Sequence, residues 1–140
     1  MKIRNYLPED YSAVEKLYKD SSTYGGQFDV ARDTAERLNK LISMKSESIL
    51  VAEDNGQIVG TVTLFEDGRS AWLYRFAVVQ ENEKFIAKAL WEEAKKIMWK
   101  LGHAQVLVYA PTGGAHFEDR YTDIGFKKGN NFTAYWQNID

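Results

Sequence analysis

The stretch AWLYRFAVVQENEKFIAKALWEEAKKIMWKLG at 71–102 decides the fold of this chain. Its first nine residues, 71–79, are rich in aromatic side chains, leucine and valine, which predicts a strand buried on both faces. From Ile86 the apolar residues recur with the period of an amphipathic helix, and Gly102 predicts where the helix ends. The apolar run QVLVYA at 105–110 follows, so the unit is strand, helix, strand, with parallel strands and a right-handed crossover.

The first turn of the predicted helix lies at the carboxyl edge of the sheet. Unpaired backbone amides and the positive end of the helix dipole meet there, which is the usual arrangement of an anion site. Every crossover helix has such an end, however, and geometry at the level of the fold does not establish a function. The unit alone is therefore compatible with an anion site and with a helix end that contacts only water.

Composition predicts one domain over residues 1–140, since 140 residues with 44% hydrophobic content suit a single core. The net charge is −2 and the lysines are spread over helix faces, so nucleic acid is not an expected partner. With no cysteine and two histidines, we expect no disulfide framework, no thiolate nucleophile and no metal site. Charges at positions 2, 4, 9 and 10 are incompatible with a signal-peptide core or membrane span there, so we expect a cytoplasmic protein without a membrane partner.

The chain before the deciding stretch begins with a strand and two helices. KIRNY at 2–6 predicts a short strand, and Pro8 with the two acids after it predicts a helix start. The segment SSTYGGQ at 21–27 predicts a loop, because serine, threonine and glycine interrupt the helical pattern. Asp29 is then expected to cap a second helix.

An antiparallel meander leads into the deciding stretch. The runs SILVAE at 48–53 and QIVGTVTLF at 57–65 flank Asp54, Asn55 and Gly56, a strong hairpin signal. Asp67 and Gly68 mark a second turn, which adds the strand at 71–79 as the third member.

The end of the chain predicts a short helix and two more strands. Residues 117–124 can form one or two helical turns, which Gly125 ends. Phe126 is expected to start a last pair of strands, separated by GNN at 129–131, with FTAYWQNI at 132–139 as the final one.

This order of elements resembles the GNAT superfamily of acyl-CoA N-acyltransferases over nearly the whole chain. IRNYLPEDY at 3–11 is similar to the opening strand and helix start of the family, and RYTDIGF at 120–126 is similar to its Tyr-x-x-x-Gly-Phe segment. FAVVQ at 76–80 is placed where the pantetheine-binding strand of the family lies. The resemblance implies an α/β (α+β) fold with a mixed, mostly antiparallel central sheet, one parallel strand pair and helices on both faces.

The chain departs from the family pattern at the loop before the crossover helix. GNAT proteins usually carry Arg/Gln-x-x-Gly-x-Gly/Ala there, where glycines let backbone amides approach the pyrophosphate of the cofactor. Here the stretch is QENEKFIAKAL, without glycine, and only Ala87 is small. Glu81 and Glu83 would lie near the phosphates, a repulsion that Lys84 and Lys88 offset in part. This departure favours a GNAT-like domain whose site for acetyl-CoA is degenerate.

The resemblance also implies site residues. Tyr121 matches the family tyrosine that protonates the departing thiolate, and the phenol pKa of about 10 suits that role; the alternative is an aromatic that only packs the last helix. The residues expected to bind acetyl-CoA are Phe76, Ala77, Val78, Glu83, Lys84, Phe85, Ile86, Ala87 and Lys88. The resemblance places Tyr24 and Phe28 where the family builds its acceptor pocket, and the alternative is an ordinary helix-helix loop; Arg75 is expected to bind the acceptor from its position in the central strand.

Two charged residues have alternative interpretations. Arg75 is the only charge in the central strand, where it either selects an anionic acceptor or pairs with a neighbouring carboxylate. His116, beside Glu118 and Asp119, is either a base at the mouth of the sheet or a solvated loop residue.

The leading hypothesis is an N-acetyltransferase that moves an acetyl group from acetyl-CoA to an amine of a small molecule or protein by direct attack in a ternary complex. The alternative is a catalytically degenerate GNAT-like module that senses a ligand or binds a protein. A third hypothesis is a homodimer in which a partner chain completes the site, indicated by the aromatic residues Tyr135 and Trp136.

Overall fold

The computed structural model describes residues 1–26 and 28–139. These residues form a five-stranded sheet with the order β1-β2-β3-β4-β5. The strands are β1 (Lys2–Asn5), β2 (Ile49–Asp54), β3 (Gln57–Glu66), β4 (Ala71–Val78) and β5 (Leu107–Val108). The helices are α1 (Tyr11–Lys19), which follows a short 3₁₀ turn at Pro8–Asp10, α2 (Ala35–Met44), α3 (Glu83–Lys100) and α4 (Ala115–Asp123).

The sheet has the mixed topology that the sequence predicts. Strands β1 to β4 pair antiparallel in chain order, and β4 and β5 form the parallel pair that α3 connects. Asn55 and Gly56 both have positive φ, 49° and 78°, as a two-residue hairpin turn of the primed type requires. Gly102, with φ of 92°, follows the end of α3. The predicted meander, crossover helix and parallel pair are confirmed.

Helices cover both faces of the sheet, which confirms that part of the predicted fold. One core cluster lies between the sheet and α3 and α4, and its most completely buried members include Leu50, Val62, Leu90 and Met98. The other lies between the sheet and α1 and α2, with Tyr6, Val14, Tyr18 and Ile49. Within the described ranges, no helix has the length and apolar character needed to cross a membrane.

Strand β4 is not buried on both faces along its whole length, so that prediction is wrong in part. Phe76, Ala77 and Val78 are fully buried, but Tyr74 is exposed. Its ring lies 5.8 Å from that of Phe65, which is exposed on the same face. Both aromatics remain in solvent because α1 and α2 do not cover this end of the sheet.

The second helix begins later than predicted. Its cap is Thr34, whose side chain accepts a hydrogen bond from the amide of Arg37. Asp29 instead closes a turn, because its carboxylate accepts from the amides of Ala31 and Arg32. Gln27, the last residue of the predicted loop at 21–27, lies outside the described residues.

The last part of the chain differs most from prediction. α4 is longer than the predicted one or two turns, and Gly125, with φ of 103°, follows its end. The predicted pair of strands after Phe126 is absent from the described residues up to 139. A strand needs an edge to pair with, and β5 offers only two residues. Tyr135 and Trp136 are 93% and 85% exposed, and their burial by a partner chain stays a prediction.

Candidate functional site

The candidate site lies where β4 and β5 separate. The two strands pair only at Trp72–Leu107 and Leu73–Val108. Just beyond, a bulge shifts the register of β4 against β3, and Arg75 in this bulge has a positive φ of 50°. The beginning of α3 lies at this end of the sheet, after the last residue of β4, and α4 packs against α3.

The first turn of α3 has backbone amides without partners. Asn82 precedes the helix in the left-handed region, with φ of 58°, and its side chain makes no capping hydrogen bond. The amides of Glu83 and Ile86 donate to the carbonyls of Gln80 and Asn82. Among the described residues no acceptor faces the amides of Lys84 and Phe85. These two amides at the positive end of an 18-residue helix can receive an anion.

A cavity of about 700 Å³ lies between this turn and α4. Its charged lining consists of three cations and three carboxylates, so these formal charges cancel, apart from any charge on His116. The cations are Lys84, Lys88 and Arg120, and the carboxylates are Glu83, Asp119 and Asp123. Selection of an anion here would depend on where the charges lie and not on a net positive field.

Arg120, which the sequence analysis did not single out, is 3% exposed and connects three parts of the site. Its Nε donates to Glu83 at 2.5 Å, and its Nη1 donates to the carbonyl of Phe76 at 2.9 Å. Its Nη2 donates to the carbonyl of Thr23 at 3.0 Å. Glu83 also lies 3.2 Å from Nε2 of His116. The cluster therefore joins the start of α3, the edge of β4 and the loop after α1 through one guanidinium.

A signal for Arg120 was available in the sequence. Phe117, Arg120, Tyr121 and Ile124 recur at the spacing of one helical face. Phe117 is half-buried and the other three are buried. An arginine on an apolar face needs a partner, so this pattern indicates a buried ion pair.

Tyr121 is 9% exposed and belongs to the packing between α4 and the sheet. Its ring packs edge-on against Phe76 and Phe126, with centroids 5.9 and 6.1 Å apart. Burial raises the pKa of the Tyr121 phenol, while the charge of Arg120 opposes the rise. The residue lines a second cavity of about 690 Å³, between β5 and the C-terminal segment, and not the cavity at the start of α3.

Arg75 and Tyr24 are brought together on the other side of β4. Nε of Arg75 donates to Oδ1 of Asp33 and Nη1 donates to the hydroxyl of Tyr24, both at 2.9 Å. Arg75 therefore has the neighbouring carboxylate that one of the two interpretations required. Phe28 lies apart from this pair, with its ring under Nζ of Lys19 at 4.7 Å.

The residues predicted to bind acetyl-CoA fall into two groups. Lys84, Phe85 and Lys88 are exposed at the start of α3, and Glu83 is partly exposed beside them. The buried members are Phe76, Ala77, Val78, Ile86 and Ala87. From the buried group, only backbone atoms can reach a ligand without repacking the core.

Comparison with known proteins identifies the family. A model of the Acetyltransferase (GNAT) family matches residues 11–118 of this chain. The chain belongs to the GNAT acetyltransferase family. Two of the segments that carried the resemblance, 3–11 and 120–126, lie at the start of this range or beyond its end, so the match does not depend on them.

Solved structures of acetyltransferases share the fold of this GNAT domain. PaiA N-acetyltransferase from Thermoplasma acidophilum, in complex with coenzyme A, is 24% identical, with a TM-score of 0.77 over 94% of this chain and 92% of that one. Aminoglycoside 6'-N-acetyltransferase AAC(6')-Ig from Acinetobacter haemolyticus is 13% identical, with a TM-score of 0.76 over 100% of both chains. Ribosomal-protein-alanine N-acetyltransferase from Brucella melitensis is 19% identical, with a TM-score of 0.70 over 93% and 86%.

Proposed function

We propose that this protein is an N-acetyltransferase that transfers the acetyl group of acetyl-CoA to an amine of a small molecule or protein. The observation that carries the proposal is the start of α3, in a chain that belongs to an acetyltransferase family. There the unpaired amides of Lys84 and Phe85 and the side chains of Lys84 and Lys88 adjoin a cavity of about 700 Å³. Amides and cations of this kind bind phosphate groups without a glycine loop.

The surroundings of Glu83 reduce the repulsion that the sequence predicted. Its carboxylate pairs with the guanidinium of Arg120 at 2.5 Å and with His116 at 3.2 Å. A carboxylate with two such partners presents less negative charge to a bound phosphate than an isolated one. Glu83 is therefore compatible with phosphates beside the first turn of α3.

Tyr121 is the residue we assign as general acid. Burial keeps its phenol protonated at neutral pH, because the pKa is raised above its ordinary value. In direct transfer the amine nitrogen forms a bond to the acetyl carbon, and the bond from that carbon to sulfur breaks. The phenol proton passes to the departing thiolate and the surplus proton of the amine passes to solvent, from which the phenolate regains a proton. A cysteine-bound acyl intermediate is excluded, since the chain contains no cysteine.

The acceptor is assigned to the side of β4 where Arg75 and Tyr24 meet. The Arg75 side chain is 25% exposed and keeps Nη2 free of protein partners among the described residues. Such a guanidinium selects an acceptor that carries a carboxylate or phosphate. The acceptors in the names of two related proteins, an aminoglycoside antibiotic and a ribosomal-protein alanine, differ too much to indicate one for this chain.

Binding of acetyl-CoA tests the proposal most directly. At 100 times its Kd, acetyl-CoA should stabilise the protein by about 2.7 kcal/mol. For a domain of this size that corresponds to a rise in Tm of roughly 5–10 °C. Release of the CoA thiol in the presence of an amine is the second measurement. Absence of both at millimolar acetyl-CoA would reject the enzyme and support the degenerate binding module.

Arg75→Met tests the acceptor. It should raise KM for acidic acceptors by about tenfold, the loss of one charge-assisted hydrogen bond, and change KM for neutral ones far less. The exposed residue Arg69 provides the control, Arg69→Met, which should change neither. A lower Tm for Arg75→Met with equal effects on all acceptors would make the pair with Asp33 purely structural.

A further inference from the structure

The edge of β4 that faces β5 has no neighbouring strand over its second half. β5 pairs only with Trp72 and Leu73, and beyond them the two strands separate. The groups of β4 that point into this gap are the carbonyls of Phe76 and Val78 and the amide of Val78. Such an edge can receive an extended, amide-containing ligand as if it were another strand.

These edge groups already have partners within the chain. Nη1 of Arg120 donates to the Phe76 carbonyl at 2.9 Å, and its Nη2 lies 3.5 Å from the Val78 carbonyl. The Val78 amide donates to the carbonyl of Thr23 at 3.0 Å, which also accepts from Nη2 of Arg120 at 3.0 Å. Thr23 and Arg120, which we call the edge plug, hold the position that an added strand would take.

Both members of the edge plug are almost fully buried, and each also forms hydrogen bonds with groups outside β4. The Thr23 hydroxyl donates to the carbonyls of Leu17 and Asp20, at 2.5 and 2.9 Å. Nε of Arg120 is held by Glu83 at 2.5 Å. Each bond of the guanidinium is charge-assisted, and those to the carbonyls of Phe76 and Thr23 are buried, so the edge plug competes strongly for the groups it occupies.

The loop after Thr23 closes the gap on its far side. A Cβ atom on Gly25 would lie 2.9 Å from Cγ of Pro111 and 3.0 Å from Cδ2 of Phe117. Pro111 follows β5 and Phe117 belongs to α4, so the loop spans the gap from β4 to the opposite wall. Gly25 does not have the left-handed φ that favours glycine. Alanine at this position would therefore push the loop off its contact without backbone strain.

We propose that the edge plug is an internal competitor of the acyl-CoA arm, which must displace Arg120 and Thr23 from β4 in order to bind. The inference rests on the proposed function and on the resemblance to the family, which places the pantetheine-binding strand at residues 76–80. The apparent Kd for acetyl-CoA is then the intrinsic Kd divided by the fraction of molecules in which the edge plug is released. Weakening the edge plug should tighten binding, although it removes contacts from the fold.

The test compares two ligands on the same variants by titration calorimetry. Acetyl-CoA carries the pantetheine arm, whereas the phospho-ADP half of coenzyme A does not. Only the first must displace the edge plug, so only its Kd should fall. Hydrogen exchange of the Val78 amide gives a second readout, because this amide changes its acceptor when the edge plug is released.

Two variants weaken the edge plug by independent routes. Arg120→Met combined with Glu83→Gln removes the guanidinium and its counter-charge together, and Glu83→Gln alone is the matched control. Gly25→Ala displaces the loop, and its control is Gly129→Ala, where an added Cβ meets no atom within 4 Å. Gly25→Ala keeps the test valid if the double variant does not fold, as judged by its thermal melt.

The expected result is a Kd for acetyl-CoA at least about tenfold lower in each variant than in its control, equivalent to about 1.4 kcal/mol. The Kd for the phospho-ADP half should stay the same in Gly25→Ala, and it should not fall in the double variant, which loses one of the three cations that line the cavity at the start of α3. Equal or weaker binding of acetyl-CoA by the variants would overturn the proposal that the edge plug competes with acetyl-CoA. The proposed function would not be affected by that result. Failure of both ligands to bind any form at millimolar concentration would overturn the proposed function, and the edge plug with it.

Discussion

The two ends of α3 carry the same kind of charged cluster, a glutamate between a histidine and a long cation. At the C-terminal end, Glu66 accepts from Nζ of Lys45 at 2.5 Å and lies 2.9 Å from Nε2 of His103. At the N-terminal end, Glu83 pairs with Arg120 at 2.5 Å and with His116 at 3.2 Å. The first cluster joins α2, β3 and the residues after α3, and the second joins α3 to α4.

The two clusters differ in what surrounds them. The His103 and Glu66 side chains are 4% and 14% exposed, and Glu66 also accepts from the amide of Gly68, so we call this cluster closed although Lys45 reaches it from the surface. The His116 side chain is 40% exposed, and its cluster lines a cavity of about 700 Å³. The Glu66 cluster therefore only connects parts of the fold. The Glu83 cluster, built from the same kinds of residue, faces a cavity and can bind a ligand.

The largest expected effect concerns Tyr121, which follows Arg120 on α4. Tyr121→Phe should lower kcat for acetyl transfer by about 10², the usual size of one proton-transfer role, and leave the Tm unchanged. Steady-state kinetics and a thermal melt measure the two. Tyr109→Phe is the control, since this tyrosine is 60% exposed. Unchanged turnover would show that Tyr121 only packs α4 against the sheet. It would also weaken the functional contrast between the two ends of α3.

The second-largest effect is expected from reversing the charge of lysines at two places along α3. Lys84→Glu with Lys88→Glu should raise the Kd for acetyl-CoA by more than about tenfold, because negative charges would face the phosphates at short range. The matched control is Lys95→Glu with Lys96→Glu, which lie further along the same helix and pair at the surface with Glu92 and Glu93, Lys95 also lying over the ring of Trp91. Calorimetric titration of both variants decides the comparison. An equal loss of affinity in both would mean that the whole helix acts as a diffuse field and that its first turn is not a site.

The smallest effect is expected at the closed end. Hydrogen bonds from Lys45, His103 and the amide of Gly68 lower the pKa of Glu66 to about 2, from an ordinary value of 4.5. A lowered carboxylate pKa contributes stability that is complete above pH 4.5 and is lost as the pH falls through about 2. Glu66→Gln should therefore lower the Tm at pH 7, and the difference from the natural protein should vanish near pH 2.

Thermal melts from pH 7 to pH 2 measure this difference, with Glu47→Gln as the control. Glu47 is exposed and has no ion pair among the described residues. If the difference in Tm between Glu66→Gln and the natural protein stayed constant with pH, the network of Glu66 would stabilise the protein by packing and not by charge.

Most of the fold follows from patterns that act over a few residues. The helical period after Ile86, the Asn55–Gly56 turn and the glycine at 102 each satisfied a local requirement, and the structure contains the element that each predicted. The same reasoning placed the first turn of the crossover helix at the carboxyl edge of the sheet, where α3 begins after the last residue of β4. The part of the candidate site built on this turn was therefore predictable.

Elements that depend on a distant partner were not predictable in the same way. The alternating residues at 132–139 favour a strand locally, yet within the described chain they have no edge to pair with. Asp29 and Thr34 are both good capping residues, and the choice between them depends on the turn that Asp29 closes on its own backbone. In these cases the local sequence correctly indicated what each residue type favours. It did not indicate which position in the chain would adopt that structure.

The sequence by itself determined the order of elements, the family and the position of the first turn of α3, because helical period, turn residues and apolar runs act locally. Only the tertiary structure decided the partners of Arg75 and Arg120. Arg75 meets Asp33 across 42 positions of the chain, and Arg120 meets Thr23 across 97. No local pattern encodes such a pairing, since it arises only when packing brings distant backbone and carboxylate groups within hydrogen-bond reach of a guanidinium that must not be buried alone.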